Sequence, residues 1–380
     1  MTMLTIASIG LVMESTQVTP IVKQMSVNEI PNENPKAISE IVTPIDKRLI
    51  DVIRKEQEQW VSIDPSLIDP FVSLEKLIFS GGKRLRPAFF YWGHIGSGGD
   101  PDSPKVIDAA AAIEMLHAFA LAHDDVMDRS KSRRGEPSIW QQFANLHTEE
   151  QWSGNPVHFG EAVAILVGDL AHVLADKLMV HTSPTVSTLW DELRMEVNIG
   201  QYLDVLSGAK GKFDHVAARR ILEYKTGRYS VQRPLHIGAA IAGRDNEFHE
   251  MFTSYGRPVG VAFQLRDDLL GVFGDPKKTG KPVGDDLREG KPTPLMAEAH
   301  SRASKSQIRV LEQVGSLEIT SGDIANIQAV VEETGAAGII ENEIKDLTEE
   351  ALAVLDGMTL EGNADEALRE LAIFVAYRTY

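Results

Sequence analysis

The sequence predicts an all-α protein built as a helical bundle, and three observations support this fold class. From about residue 46 onward, long segments rich in Ala, Leu and Met continue without helix breakers. No convincing run of alternating apolar and polar residues predicts a β-strand. Two apolar helical segments end in paired aspartates, as "AHDDVMD" (122–128) and "RDDLLG" (266–271). Because bundles build sites from side chains on facing helices, we expect these two clusters to face each other.

The composition narrows the class of protein. The chain has 380 residues, enough for one large domain or two ordinary ones. A formal net charge of −17 argues against a general nucleic-acid binder and means that local clusters of Lys and Arg must attract any anionic substrate. The chain contains no cysteine, which excludes disulfides and thiolate chemistry and fits a cytoplasmic location.

The first 45 residues are predicted to form a poorly ordered extension, and residues 46–380 a single domain. The stretch "MLTIASIGLVM" (3–13) is apolar, but no Lys or Arg precedes Lys23, so a secretory signal is not indicated. This stretch is too short to span a bilayer. No other segment is long and apolar enough, so we expect no transmembrane helix.

The helical segments follow in order. "DAAAAIEMLHAFALAHDDVMD" (108–128) predicts a long helix, with Ser103 as its N-cap and Pro104 in its first position. "GEAVAILVGDLAHVLADKLMV" (160–180) is apolar on most faces, which is typical of a core helix. "VAARRILEYKTGRYSVQRPLHIGAAIAG" (216–243) predicts another helix, with an end or kink at its Lys-Thr-Gly.

The C-terminal half continues this pattern. "MFTSYGRPVGVAFQLRDDLLGVFGD" (251–275) predicts a helix that carries the second aspartate pair, and residues 301–356 predict amphipathic helices. Long loops are expected at 96–104 and 274–294. The second loop is too long to be a simple connection, which indicates a functional role.

The acidic clusters predict a magnesium site. One cluster is Asp124, Asp125 and Asp128; the other is Asp267 and Asp268. Carboxylates without His or Cys suit Mg²⁺, which also takes oxygen atoms from substrate phosphates. One such cluster alone is more typical of a solvated helix end. Two clusters, each on an apolar helix, favour the metal.

Basic residues predict several anion sites. "GGKRLRP" (81–87) combines a glycine turn with Lys83, Arg84 and Arg86 ahead of an apolar helix, a setting that favours an anion. Each basic residue alone is more typical of a solvated surface. Together with the acidic clusters and the apolar helices, they predict a pocket for a molecule with a diphosphate head and a hydrocarbon tail. Further cations lie in or near predicted loops or helix ends: Arg133, Arg134, Lys225, Lys281 and Lys291.

These motifs resemble those of the trans-isoprenyl diphosphate synthases of the polyprenyl synthetase family, most closely a short-chain geranylgeranyl diphosphate synthase. The resemblance covers roughly residues 46–380. It implies an isoprenoid-synthase-type bundle around a deep apolar central cavity, a homodimer, and several Mg²⁺ ions that help bind isopentenyl and allylic diphosphates. It rests on "GGKRLRP", "LHAFALAHDDVMDRSKSRRG", "GDLA", "GQYLD", "YKTGRYS", "FQLRDDLLGVFGD" and "TGKPVGDDLREGK" in this order.

The resemblance also implies residue roles. The metal would be held by Asp124, Asp125, Asp128 and Asp267. These four, with Asp268 and Lys225, would form the catalytic set. Isopentenyl diphosphate would be bound by Lys83, Arg86, His117 and Arg134. The allylic diphosphate would be bound by Arg133, Lys225, Thr226, Gln264, Lys281 and Lys291.

Two positions bear on product length and metal affinity. In the resembled family the hydrocarbon tail grows past the residues before the first aspartates, here Leu116, Phe119 and Ala120. A large Phe119 as the cavity floor, beside a small Ala120, implies the twenty-carbon geranylgeranyl product. The second motif departs from the family pattern, because Gly271 stands where a third aspartate is usual. We expect activity to survive, with Asp285 or Asp286 as candidates to compensate.

Alternatives stay open at this point. The product could be farnesyl diphosphate or a longer polyprenyl diphosphate. A terpene cyclase shares the fold and the first aspartate motif, but the isopentenyl diphosphate site and the missing Asn/Ser/Glu metal motif argue against it. A regulatory subunit of a heteromeric synthase is disfavoured because both aspartate pairs are present. A magnesium-dependent hydrolase would not explain "GGKRLRP" together with His117.

Overall fold

The all-α prediction is confirmed by a computed structural model of the chain. It describes residues 34–179, 183–211, 213–275, 283–316 and 318–379. The helices in the described residues are α1 (Lys36–Val61), α2 (Ile68–Phe79), α3 (Leu85–Gly96), α4 (Pro104–Met127), α5 (Ile139–Glu149), α6 (Pro156–Met179), α7 (Pro184–Lys210), α8 (His215–Ile221), α9 (Arg233–Ile241), α10 (Asp245–Phe273), α11 (Asp285–Glu289), α12 (Pro294–Arg302), α13 (Lys305–Leu311), α14 (Ser321–Glu333), α15 (Ala336–Asp356) and α16 (Ala364–Tyr377). A short 3₁₀ turn at Pro65–Leu67 precedes α2.

The first helix begins earlier than the sequence predicted. Helix α1 starts at Lys36 and buries Ile38, Ile41 and Ile45 in the main core. The boundary expected at residue 46 therefore lies inside a core helix, and residues 36–45 belong to the helical domain. Their apolar side chains recur every three or four residues, the spacing of one helix face. The rest of the expected extension, residues 1–33, lies outside the described residues.

Helix α4 forms the centre of the bundle. It begins at Pro104 as expected, although Ser103 makes no side-chain capping bond. Its alanines 109–112 are fully buried, and it packs against α3 and α6. By length and composition it is the one helix among the described residues that could cross a membrane. Of its apolar 18-residue stretch, 61% is buried inside the protein.

Helix α6 differs from its prediction on one face. Ala164, Val167 and Ala171 are buried against α4, as expected of a core helix. Leu166 and Val173, however, are 61% and 63% exposed. The helix therefore presents an apolar face outward, which the apolar composition alone could not distinguish from burial.

Two local features were not predicted. Ser132–Arg133 pairs with Glu136–Pro137 in a very short antiparallel hairpin, whose turn residues Arg134 and Gly135 have φ of +55° and +81°. These positive φ values are those of a type I′ turn. Residues Leu222–Gln232 form a π-helical segment between α8 and α9. This segment includes the "KTG" at which a helix end or kink was expected. Helices of the π type are rare in proteins, and those that occur are often found at functional sites.

Candidate functional site

A cavity of about 610 Å³ brings most of the predicted charged residues together. Its apolar wall includes Leu85, Leu121, Val197, Ile221 and Phe263. The rest of the lining is largely charged or polar. The predicted site residues that line it are Lys83, Arg86, His117, Ala120, Asp124, Arg133, Arg134, Lys225, Thr226, Gln264, Asp267, Asp268 and Lys291.

The first acidic cluster ends helix α4 and is neutralised by cations. Arg133 Nε lies 2.8 Å from Asp125 Oδ1, and its Nη2 lies 3.3 Å from Asp124 Oδ2. Lys225 Nζ donates to Asp124 Oδ1 over 3.1 Å. Burial alone raises the pKa of Asp124, but Lys225 and Arg133 lower it by more, so the net pKa lies well below the ordinary value. Asp124 is thus held as an anion on the cavity wall.

Asp128 has the opposite environment. Burial and the nearby charge of Asp124 raise its pKa to about 7. Its Oδ2 is buried without a hydrogen-bond partner, and Lys291 Nζ lies 3.9 Å from it. The nearby cations therefore do not fully compensate the carboxylate of Asp128.

The π-helical segment places Lys225 over this cluster. Lys225 bonds Asp124 and also donates to Asp204 Oδ2 of helix α7 over 2.5 Å. A Cβ on Gly200 would lie 2.4 Å from the Lys225 backbone nitrogen, so only glycine allows this close approach. Gln201 adds a further bond, from Nε2 to Asp124 Oδ1 over 3.1 Å. Helix α7 thus orients both the lysine and the carboxylate.

The second acidic cluster lies on α10. Asp267 accepts a hydrogen bond from Arg378, near the C-terminus. Asp268 Oδ1 accepts one from Gln264 Nε2 over 2.8 Å, whereas its Oδ2 is buried without a partner. Burial raises the pKa of Asp268 well above its ordinary value, and Asp286 and Asp267 raise it further.

Lys291 lies between the first acidic cluster and the carboxylates of α11. Its Nζ lies 3.3 Å from Asp286 Oδ1 and 2.6 Å from Glu289 Oε2, besides its approach to Asp128. Burial alone lowers the pKa of Lys291, but Asp286 and Glu289 raise it well above the ordinary value. A permanently charged ammonium group therefore lies where an anion could also be held.

Lys83 and its neighbours supply positive charge on another part of the cavity wall. Burial, with the nearby charge of Arg378, lowers the pKa of Lys83 to about 7. Burial also lowers the pKa of Arg134, to about 10. The Arg86 guanidinium lies 4.7 Å from the centre of the Tyr229 ring. An anion bound nearby would stabilise the charged forms of Lys83 and Arg134.

His117 links Arg86 to Tyr229. Its Nε2 lies 3.2 Å from Arg86 Nη1 and its Nδ1 lies 3.4 Å from the Tyr229 hydroxyl. Burial and Arg86 lower the pKa of His117 well below its ordinary value, so the ring is neutral. Because a guanidinium only donates, Nε2 accepts and the ring proton is on Nδ1.

Arg84 lines the cavity, but its guanidinium is engaged by partners within the protein. It is 3% exposed and donates to Asp46 over 2.7 Å, to Glu114 over 2.8 Å and to the Ile78 carbonyl over 3.0 Å. The Nε and Nη1 donors of Arg84 are therefore used by partners within the protein. The first arginine of "GGKRLRP" lines the cavity beside Lys83 and Arg86, but these contacts use it to anchor α1, α2 and α4.

The chemistry of the carboxylate oxygen atoms, and not a preformed geometry, fits a divalent cation. Within the described ranges, no three Asp, Glu or His side chains already converge as a metal site. Instead, Arg133 and Arg378 engage Asp125 and Asp267. Asp128 and Asp268 each keep a buried carboxylate oxygen without a hydrogen-bond partner. Uncompensated hard oxygen atoms of this kind are the ligands that Mg²⁺ prefers.

Several predicted residues lie elsewhere. Asp125 is 1% exposed behind Arg133, and Leu116 is fully buried. Phe119 packs between His123 and His172, with ring centres 4.7 and 4.8 Å away. The described residues that line the cavity include Ala120 but not Asp125, Asp128, Leu116 or Phe119. Lys281 lies outside the described residues.

The sequence reasoning missed some residues of the cavity. Gln201 and Asp204 belong to the quoted "GQYLD", and their i, i+3 spacing already places them on one helix face. Tyr229 follows Lys225 within "YKTGRYS". Arg378 carries no such signal, because its contact with Asp267 spans more than a hundred positions of the chain and depends on how α16 packs.

The chain belongs to the polyprenyl synthetase family, whose sequence pattern matches residues 72–334. It is similar to geranylfarnesyl diphosphate synthase of Aeropyrum pernix, with 31% identity over 80% of this chain and 92% of that protein. It is 32% identical to (2E,6E)-farnesyl diphosphate synthase of Mycobacterium bovis, over 66% of this chain and 67% of that protein. The chain is thus a prenyltransferase of this family, and the relatives differ in the product that they are named for.

The fold comparison agrees. A solved geranylgeranyl pyrophosphate synthase from Corynebacterium glutamicum, complexed with isoprenyl diphosphate and magnesium, superposes with a TM-score of 0.86. It shares 36% identity, and the match covers 90% of this chain and 99% of that one. The expected isoprenoid-synthase-type fold is therefore confirmed.

Proposed function

We propose that this protein is a Mg²⁺-dependent prenyltransferase that condenses isopentenyl diphosphate with allylic diphosphates, with geranylgeranyl diphosphate as its product. The observation that carries this proposal is the composition of the cavity lining. Two acidic clusters, two groups of cations and an apolar lining meet around the same space. Substrates with a diphosphate head and a hydrocarbon tail match all three.

Asp124, Asp125, Asp128 and Asp267 would hold magnesium, with the allylic diphosphate supplying further oxygen ligands. When bound, the metal neutralises the diphosphate and makes it a better leaving group. For Asp125 and Asp267 to bind it, Arg133 and Arg378 must release them. Both arginines then become available to phosphate oxygens, so substrate binding exchanges one set of ion pairs for another.

The remaining cations would hold the allylic diphosphate. Lys225 and Lys291 lie beside Asp124 and Asp128 with their charges fixed. They would bind the diphosphate and stabilise the negative charge that develops as the allylic C–O bond breaks. Arg133, Thr226 and Gln264 line the same wall, and Lys281 is expected to join them.

Isopentenyl diphosphate would bind at Lys83, Arg86, Arg134 and His117. Lys83 with a pKa of about 7 gains a proton as the anion approaches. The neutral His117 and Tyr229 orient Arg86 rather than add charge. The double bond of isopentenyl diphosphate then attacks the allylic carbon, a proton leaves the adduct, and the released diphosphate is the base that accepts it.

Product length depends on the wall beyond the first aspartates. Ala120 and Leu121 line the cavity, so a small side chain at 120 leaves room for the growing tail. Phe119 remains the proposed floor, reached as the tail extends toward His172 of α6. The preference for the twenty-carbon product over the fifteen-carbon one rests on the resemblance at these positions.

We infer that the enzyme is cytoplasmic. An exposed apolar face on α6 and α7 supports a homodimer. Leu166 and Val173 of α6 are joined by Met195 and Tyr202 of α7, which are 61% and 65% exposed. An apolar face of this kind on neighbouring helices is typical of an interface. A second copy of the chain, packed through the same helices, would bury it.

A product assay tests the proposed function. The purified protein is incubated with isopentenyl diphosphate, Mg²⁺ and each allylic diphosphate in turn, with EDTA as the control. We expect a linear, Mg²⁺-dependent diphosphate product of twenty carbons. A fifteen-carbon or longer product would correct the product assignment alone. Folded protein that elongates no primer would exclude the synthase and favour a cyclase or a regulatory subunit.

A further inference from the structure

Gly271 and Asp286 occupy one space in the second acidic cluster. Gly271 stands in α10 where the family pattern has its third aspartate. A Cβ built on Gly271 would lie 1.8 Å from Asp286 Oδ2 and 2.4 Å from its Cγ. These distances are far below van der Waals contact. The Asp286 carboxylate therefore fills the place that a side chain at position 271 would take.

Packing from the other side holds Asp286 in this place. Helix α11 is bounded by Gly284 and Gly290, with φ of +69° and +71°, a conformation that favours glycine. Between them Leu287 is fully buried, and its carbonyl accepts a hydrogen bond from the Gly315 amide over 2.8 Å. The position of the carboxylate is thus fixed by the core and not by loop geometry alone.

The cluster has an unsatisfied oxygen atom beside Asp286. Asp286, with a side chain only 12% exposed, lines the cavity with Asp267 and Asp268. Asp268 is 2% exposed, and its Oδ2 has no hydrogen-bond partner. A buried carboxylate oxygen without a donor is costly unless a cation compensates it. Lys291 Nζ approaches Asp286, which leaves Asp268 to be compensated from the cavity.

We propose that Asp286 supplies the third carboxylate of the second acidic cluster from a different helix, and that Gly271 is glycine because this carboxylate needs its space. Asp267, Asp268 and Asp286 together then bind a divalent cation with the diphosphate. This inference rests on the proposed function and adds a residue to its metal-binding set. It explains how a chain without the third aspartate of the motif keeps a complete cluster.

The test measures Mg²⁺ binding in the presence of inorganic diphosphate by isothermal titration calorimetry. Asp286→Asn removes the charge and keeps the shape, while Gly271→Ala displaces the carboxylate through its added Cβ and leaves residue 286 an aspartate. We expect each to raise the Kd for Mg²⁺ about 10-fold or more. The control is Gly338→Ala, a helical glycine with open space around its Cβ position, which should leave the Kd unchanged.

The rescue experiment is the double variant Gly271→Asp/Asp286→Ala, which moves the carboxylate back to α10. We expect it to bind Mg²⁺ about 10-fold more tightly than Asp286→Ala alone. Thermal unfolding confirms that each variant is folded. Because Ala is a better helix former than Gly, Gly271→Ala should weaken binding without loss of helix propensity.

Two outcomes would overturn the inference: an unchanged Kd in Asp286→Asn, or a double variant that binds Mg²⁺ no better than Asp286→Ala. The product assay separates these from failure of the proposed function. If the wild-type protein elongates a primer and Asp286→Asn binds Mg²⁺ normally, only the role of Asp286 is wrong. If no primer is elongated but Asp286→Asn weakens Mg²⁺ binding, the carboxylate role stands and the reaction must be another one.

Discussion

Lys225 donates a hydrogen bond to Asp124 across the cavity, with Nζ 3.1 Å from Oδ1, although a hundred residues separate them in the chain. The lysine lies on the π-helical segment and the aspartate on α4. The same ammonium group bonds Asp204, so it is held between two carboxylates. One side chain therefore links three helical elements at the proposed diphosphate site.

Replacing Lys225 should reduce catalysis more than stability. Lys225→Gln removes a fixed charge beside the leaving group, and we expect kcat to fall by about 10²–10³-fold. The matched control is Lys210→Gln, at the exposed end of α7, with kcat unchanged. Steady-state kinetics with saturating Mg²⁺ provide the measurement. A kcat within twofold of wild type would remove Lys225 from the proposed charge-stabilising set.

Binding of isopentenyl diphosphate should weaken as the pH rises above 7. Lys83 has a pKa of about 7 in the free protein, so at higher pH it must first gain a proton to hold the anion. In the Lys83→Arg variant the cation stays charged, and the pH dependence between 7 and 9 should flatten. Equilibrium binding across this range is the measurement. Parallel pH profiles for the two proteins would contradict the role of Lys83.

The same pKa shift has a consequence for stability. The folded-state pKa of Lys83 is lowered, so between pH 7 and its ordinary value of 10.5 the unfolded chain binds more protons. The contribution of Lys83 to the free energy of unfolding therefore rises with pH across this window. Denaturation of wild type and Lys83→Met at pH 7 and pH 9 isolates this contribution.

The buried pair of Arg84 and Glu114 should be essential for stability. Removing one partner leaves a buried charge, and we expect Glu114→Leu to lower the free energy of unfolding by about 3–5 kcal/mol. Denaturant unfolding measures this loss. The double variant Arg84→Met/Glu114→Leu should recover part of it, because no uncompensated Arg84 remains. A single variant as stable as the double would show that Asp46 alone satisfies Arg84.

Product length should respond first at the cavity wall. Ala120→Phe places a ring in the lined space, and we expect shorter products by chromatography. Phe119→Ala should lengthen the product if the tail reaches past the wall to the stack of Phe119 on His172. An unchanged product in Phe119→Ala would exclude Phe119 as the floor and leave Ala120 as the residue that limits length.

The apolar face of α6 and α7 should mediate self-association. Leu166→Glu introduces a charge that a symmetric interface would bury twice, so we expect the dimer Kd to rise at least about tenfold, or about 1.4 kcal/mol. The control is Ile63→Glu, an exposed apolar residue after α1 that is 69% exposed. Light scattering over a dilution series measures both. Identical molar masses for Leu166→Glu and wild type would place the interface elsewhere.

Local sequence patterns predicted much of the fold. Helix α4 starts at Pro104 and ends beside Asp128, as its composition and flanking residues indicated. Helical periodicity and capping depend on residues within a few positions of one another, so they can be read from the chain. The hairpin of Arg133 and the π-helical segment were missed because a two-residue strand and an i+5 bond pattern leave almost no signal.

The partners of the site residues could not be predicted in the same way. "GGKRLRP" contains three cations, yet Arg84 turns inward to Glu114 while Lys83 faces the cavity. Their types are alike, and only the packing of α3 on its neighbours separates their roles. Likewise, the length of α6 and its apolar composition gave no indication of which face would remain exposed.

The sequence by itself determined the helical class, the two aspartate pairs and the set of cations, because each depends on neighbouring residues. The tertiary structure decided which charges meet: Arg133 with Asp125, Arg378 with Asp267, and Asp286 in the space above Gly271. These contacts join separate structural elements, and the contact of Arg378 with Asp267 spans more than a hundred positions of the chain. They form only when the core brings those elements together, so their free energy depends on packing and not on local propensity.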